Sequence, residues 1–343
     1  MLRSFAGSLV VTLAALAVAL VYGWFDTGSI SATLGLAWIV LVLAVLEISL
    51  SFDNAVVNAA VLTEMDPVWQ RRFLTWGMLI AVFGMRIVFP LLIVALAAGV
   101  GPVDALILSL TQPARYEAVV SGAHGAIAGF GGAFLLLVGL DFFLDREKSV
   151  HWISWIERKL AWLALVRALG IALVLALLLI VARLLPGHEA LVFVEAGVSG
   201  IIAHIAVEAI GTVLEAQAAA RRVAGAMVRS GLGGFVYLNV LDASFSFDGV
   251  IGAFALSNNM VIITLGLTIG AMFVRSITLF MVRQGTLAQY RFLEHGAFWA
   301  IIALGAIMLA SARVEIPETV TGLIGAVLIG LSLWSSRRAA HSA

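Results

Sequence analysis

Long apolar runs alternate with short polar stretches along this chain, and that pattern predicts membrane-crossing helices rather than the amphipathic helices of a soluble core. Ten crossings are predicted, at approximately residues 6–24, 33–62, 72–98, 120–144, 162–185, 190–214, 233–257, 260–282, 296–312 and 318–335. The second run is too long for one straight crossing, which predicts a steep tilt or a break. It is also the run interrupted by Glu47-Ile-Ser-Leu-Ser-Phe-Asp53-Asn54, two carboxylates, two hydroxyls and an amide where a lipid-facing helix carries none. Between crossings, Asp145 to Arg167 mixes charges with Trp152, Trp155, Ile156 and Trp162, the pattern of an amphipathic helix lying on the membrane face over about 145–161. Gly99 to Gly122, with Pro102 and Pro113, has little periodicity and reads as a loop or a short re-entrant piece. Residues 8–22 are apolar and follow Arg3, but no small-residue cleavage pattern follows the run, which ends in Val21-Tyr22-Gly23-Trp24-Phe25, so a retained first helix is expected.

Composition agrees with this pattern. Hydrophobic residues make up 62% of the 343 and charged residues 12%, with a mean hydropathy of +1.11. A water-soluble domain has no way to enclose that much apolar surface. The expected fold class is therefore an all-α polytopic membrane protein, one integral domain over 1–343, with a lipid bilayer as its first partner. A formal net charge of zero gives no footing for nucleic acid, and the absence of cysteine removes both disulfides and thiolate metal sites. The basic residues test the count of crossings. With the N-terminus in the cytoplasm, 15 of the 20 Lys and Arg fall in cytoplasmic segments and three (Arg115, Arg183 and Arg313) fall outside. The remaining two, Arg86 and Arg275, lie within crossings. That asymmetry is the positive-inside rule, and it predicts a cell-membrane protein with both termini cytoplasmic.

The opening motif is written twice. Asp242-Ala-Ser-Phe-Ser-Phe-Asp248-Gly249 repeats it at a constant offset of 195 residues, with Ser49 and Ser51 matching Ser244 and Ser246. In the following helices Gly77 precedes Arg86 by nine residues, as Gly266 precedes Arg275. A carboxylate motif followed by a helix with an intramembrane Arg, found twice, indicates duplication. The motif helices are the second and seventh, an odd number of crossings apart, so they run in opposite directions. The expected architecture is an inverted repeat, with halves at about 33–144 and 233–335 joined by helices five and six, and a site near mid-membrane between them.

The chemistry follows from cost and geometry. Each of Glu47, Asp53, Asp242 and Asp248 costs roughly 2.5–3.5 kcal/mol near a helix centre, on the order of 10 kcal/mol for four. Arg86 and Arg275, which as buried salt bridges to Glu47 and Asp242 would orient the helices, are too few to neutralise four carboxylates. The surplus points to a bound cation or proton. On an ideal helix Glu47, Ser51, Asn54 and Asn58 share one stripe about 60° wide, while Asp53 lies about 240° round, beside Ser49. Glu47 and Asp53 meet at one ion only if the helix breaks between them, and Gly249 to Gly252 would ease the same break in the second copy. Carboxylate, amide and hydroxyl oxygens suit a hard divalent cation such as Mn²⁺, Mg²⁺ or Ca²⁺. Further along, His204 and Glu208 stand at i, i+4, a spacing for a proton relay, a metal ligand pair or a plain hydrogen bond. Asp141 reads as a solvated helix end, and Gly129–Gly132 as close helix packing.

The paired motifs resemble the TerC family of integral membrane proteins, named for tellurium resistance. Glu47-Ile-Ser-Leu-Ser-Phe-Asp53-Asn54-Ala55 is similar to that family's acidic signature, and Asp242 to Asp248 to its second copy. The resemblance implies a fold of the LysE-like transporter superfamily and, as in several members, Mn²⁺ efflux. Glu47, Asp53, Asn54, Asp242 and Asp248 would inherit the metal-binding role, supported by Ser49, Ser51, Ser244, Ser246, Arg86 and Arg275. The second copy departs from the first in carrying Gly249 where the first has Asn54. The expectation is a secondary transporter, not an enzyme, with a divalent cation, foremost Mn²⁺, as substrate and no prosthetic group. The alternatives are an intramembrane metal-dependent enzyme built on His204 and Glu208, and a membrane scaffold of a metal or tellurite resistance system. No His-Glu-x-x-His spacing supports the former.

Overall fold

The computed structural model describes residues 2–77, 79–80, 84, 88, 91, 95, 100–145, 148, 150–163, 168–221, 231–257, 259–314, 316 and 318–341. Among them the chain is helical and contains no strand pairing into a sheet. Helix α1 (Leu2–Thr27) ends where Gly28 adopts φ +61°, a left-handed turn that only glycine takes without strain. Helix α2 (Ile30–Leu50) stops at Ser51, and α3 (Phe52–Glu64) restarts at once. Next come α4 (Pro67–Arg72), capped by the Asp66 carboxylate on the Val68 N–H, and a π-helical turn at Phe73–Gly77. The stretch expected as a loop or a short re-entrant piece at 99–122 holds two short helices, α5 (Pro102–Thr111) and α6 (Pro113–Gly122). Each starts at the proline, which lacks the N–H that a first-turn position would leave unbonded.

Helices α7 (His124–Leu144), α8 (Ser154–Leu163), α9 (Leu169–Ala182) and α10 (Gly187–Arg221) follow, then α11 (Gly231–Leu256) and α12 (Met260–Gln284). The chain closes with α13 (Thr286–Gln289), α14 (Leu293–Ser311) and α15 (Glu318–His341). Among the described residues six helices are long and apolar enough to cross a membrane: α1, α2, α7, α12, α14 and the Gly187–Ile210 part of α10. This is fewer than the ten crossings expected. At 14 residues α9 falls short of the ~20 needed for a perpendicular crossing, and most of 72–98 lies outside the described residues.

Glycines set how closely these helices approach. On α12, Gly266 lies against Leu43 and the Val40 carbonyl of α2, and Gly270 lies against Glu47 and the Ala44 carbonyl. This four-residue spacing of small residues lets two backbones meet without side chains between them. Helix α7 uses the same device twice, placing Gly129 on the Phe193 carbonyl of α10 and Gly132 on the Gly305 carbonyl of α14. The glycine-rich run at 129–132 is thus a packing face, as its sequence suggested.

The central element is α3. Every residue from Asp53 to Leu62 is buried, with α2, α11, α12, α14 and α15 around it. Ala55, Val56, Val57 and Ala59 join Phe134 and Val138 of α7, Leu241 of α11 and Ile301 of α14 in one apolar cluster. The outer faces are apolar as well: Leu9, Val10 and Leu13 of α1 and Leu173, Leu175 and Leu179 of α9 are exposed, as lipid-facing helices require. The segment expected to be amphipathic forms α8 and docks through a buried carboxylate. Glu157, 2% exposed, accepts from the Trp152 and Ile153 N–H groups (both 3.0 Å) and from Trp299 Nε1 of α14 (3.2 Å). It thereby reaches back to the N–H groups of the two residues that lead into the helix, as the acidic residue of a capping box does.

Candidate metal site

The first motif straddles the α2–α3 junction. At Ser51 the backbone leaves helical geometry (φ −100°, ψ 17°), with its N–H still on the Glu47 carbonyl at 2.9 Å. Three residues on, the Asn54 N–H turns to the Asp53 carboxylate, also at 2.9 Å. The predicted break is therefore present, between Glu47 and Asp53. Its consequence is a change of surroundings within one turn. Ser49 is exposed and its hydroxyl donates back to the Val45 carbonyl at 2.9 Å, whereas Asp53 is buried in the enclosed α3. Ser49, expected as a supporting residue, thus lies exposed with its proton on its own helix, whereas Ser51 is buried.

The stripe expected to line the site is buried throughout: Glu47, Ser51, Asn54 and Asn58 are each less than a tenth exposed. Ser51 Oγ donates to Glu47 Oε1 at 2.9 Å, which orients one carboxylate oxygen. The stem of Glu47 rests on Gly270, so α12 has room for the carboxylate only because residue 270 lacks a side chain. Arg275 stands on this same helix, partly buried.

The two motifs meet. Asn54 Nδ2 donates to Asp242 Oδ1 at 2.8 Å across 188 residues of sequence, with both side chains buried. A hydrogen bond of an amide to a buried carboxylate is a strong one. Among the described residues no donor reaches Asn54 Oδ1 or Asn58 Oδ1, although both are buried. The Asn54–Asp242 bond and two amide oxygens that no described donor reaches form a buried polar group where the motifs meet, and oxygen atoms of this kind suit a hard cation. Asn58 had appeared in the sequence only as part of the stripe; its place one helical turn beyond Asn54 was the signal that it belongs to the group.

The second motif differs from expectation. Helix α11 runs unbroken from Gly231 to Leu256, so no break accompanies Asp242–Asp248. The helix ends at Leu256, and the Asn259 side chain caps α12 by accepting from the Val261 N–H at 3.0 Å. The expected break in the seventh helix is therefore corrected: the glycines at 249 and 252 do not open this helix. The side chains of Ser244, Ser246 and Asp248 lie outside the described residues, as does Arg86.

Away from these motifs, His204 and Glu208 project from α10 towards Asp141 of α7. His204 Nε2 is 2.7 Å from Asp141 Oδ2. Asp141 is thus more than a solvated helix end, and its contact with a residue 63 positions away carries no sequence signal. No curated protein and no solved structure matches this chain. A family model described as "Protein of unknown function (DUF475)" matches residues 52–343, and the chain belongs to that family.

Proposed function

We propose that the protein is a secondary transporter that exports a divalent cation, foremost Mn²⁺, bound between the two acidic motifs. The observation that carries this reading is the buried Asn54–Asp242 hydrogen bond, which joins the two motifs directly; in this reading Glu47 and Asp53, buried on the same segment as Asn54, complete the ligand set. Carboxylate and amide oxygens in that setting suit a hard divalent ion. The likeness of both motifs to the TerC family points the same way. In this reading the motifs belong to the halves of an inverted repeat, at about 33–144 and 233–335. Residues 72–98, α9, α11 and α15 supply the crossings beyond the six long apolar helices, and both termini are cytoplasmic. Asp248 is the fourth carboxylate of the site. The break at Ser51 gives the transporter its moving part, since α2 and α3 can change their mutual angle without unwinding either helix.

Flux in proteoliposomes tests the proposal. Purified full-length protein should move Mn²⁺ down an imposed gradient, and Asp53→Asn and Asp242→Asn should each lower the rate by at least about tenfold while remaining monodisperse in detergent. Wild-type rates in both variants would remove the site, and absence of flux for Mn²⁺, Fe²⁺, Zn²⁺, Ca²⁺ and Mg²⁺ under both pH gradients would remove the transporter.

A further inference from the structure

A second group of metal-binding side chains stands apart from the acidic motifs. Helices α7 and α10 pack along their length, and Gly200 of α10 lies on the Phe130 carbonyl of α7. One turn after Gly200 comes His204, and one turn after that Glu208, on the same face of α10. Opposite them on α7 is Asp141. One ligand atom from each of these three side chains lies within 4.8 Å of the other two.

The arrangement is held from one side and open on the other. His204 is 6% exposed, and its ring stands edge-on to Phe134 with centroids 5.5 Å apart. That contact fixes the ring plane, with Nε2 directed at Asp141 Oδ2, 2.7 Å away. Asp141 and Glu208 are exposed. A buried imidazole thus anchors the group, and two carboxylates at its mouth leave positions for water. Ligand atoms on one ion at about 2.0–2.2 Å stand roughly 3–3.5 Å from each other. The observed separations, from 2.7 Å for His204 and Asp141 to at most 4.8 Å, bracket that spacing.

We infer that Asp141, His204 and Glu208 form a site for a divalent transition-metal ion, distinct from the group around Asn54 and Asp242. One imidazole nitrogen with two carboxylates favours borderline ions such as Zn²⁺, Co²⁺, Fe²⁺ or Mn²⁺ over Mg²⁺ and Ca²⁺, which prefer oxygen throughout. The two groups have no residue in common. Phe134, which sets the His204 ring, belongs to the apolar cluster that also holds Ala55 and Leu241, the neighbours of Asn54 and Asp242. Dry packing therefore stands between them.

The test is equilibrium binding of Co²⁺ to chelator-treated full-length protein in detergent, followed by its visible absorption and by the shift in melting temperature, with Zn²⁺ as competitor. It needs no transport assay, so its outcome is independent of the flux result. His204→Ala and Glu208→Gln should each lower Co²⁺ affinity at this site at least tenfold and remove the absorption bands of a nitrogen-bearing site, whereas Asp242→Asn should leave those bands intact. Glu208→Gln changes an exposed side chain and keeps the fold testable if His204→Ala aggregates. Wild-type affinity and spectrum in Glu208→Gln would overturn the site. Loss of all Co²⁺ binding in Asp242→Asn alone would overturn it equally.

Discussion

Gly270 offers the sharpest perturbation of the α2–α12 contact, because everything near it is known. A methyl group added there would overlap the β and γ carbons of Glu47 and come within 3.2 Å of the Ala44 carbonyl oxygen. Carbon atoms pack at about 3.5–4.0 Å, so α12 must retreat from α2 by roughly 1 Å, or Glu47 must leave its rotamer. Overpacking of this kind costs about 1–3 kcal/mol. Both routes move the carboxylate that Ser51 orients. Gly270→Ala should therefore lower the melting temperature in detergent and reduce Mn²⁺ flux together. Gly330→Ala is the control: no atom lies within 4 Å of a β carbon there, so it adds helix propensity without a clash. The reasoning fails if Gly270→Ala melts and transports like wild type. It also fails if Gly330→Ala is the more damaging of the two.

Three further predictions concern separate parts of the chain. Ser49→Ala should leave Mn²⁺ flux unchanged and Ser51→Ala should reduce it, because one hydroxyl faces outward onto Val45 and the other holds Glu47; equal effects in the flux assay would contradict the assigned orientations. Glu157→Gln should free the Trp152 and Ile153 N–H groups from a charged acceptor, at about 1.5–3 kcal/mol for a bond to a charged group, and hydrogen exchange over 152–157 should accelerate. Lys148, seated over the Phe142 ring, has its pKa lowered to about 7, chiefly by burial. The unfolded chain then binds more protons than the folded one between about pH 7 and the ordinary lysine range, so stability rises with pH across that window. Lys148→Met should raise the melting temperature most at or below pH 7 and flatten this dependence; an unchanged slope would refute it.

Much of the membrane architecture was written in the apolar runs, since lipid permits little besides helices. The break in the second run was legible for a geometric reason: Glu47 and Asp53 lie on different faces of a straight helix. The run's excess length said the same. Local backbone choice was less legible. Gly249 and Gly252 suggested a second break, yet α11 stays helical through them, because glycine permits a break without requiring one. Pro102 and Pro113 are compatible with a loop or a short re-entrant piece by sequence, and in the fold each starts a short helix, where a proline costs nothing. Within the site, residues one turn apart on one helix were readable, as Asn54 and Asn58 show. The Asn54–Asp242 bond was anticipated only as a meeting of two copies. The approach of Asp141 to His204 depends on how α7 and α10 pack, and no spacing in the chain encodes it.

If two motifs nearly two hundred residues apart bind one ion together, a double-mutant cycle on Mn²⁺ flux will show it. Asn54→Ala, Asp242→Asn and the combined variant would be compared with wild type at subsaturating Mn²⁺. The buried bond between these side chains predicts a coupling energy of about 1.5–3 kcal/mol, with the double variant little worse than the more damaged single one. Strictly additive losses, or none, would mean that the motifs act apart.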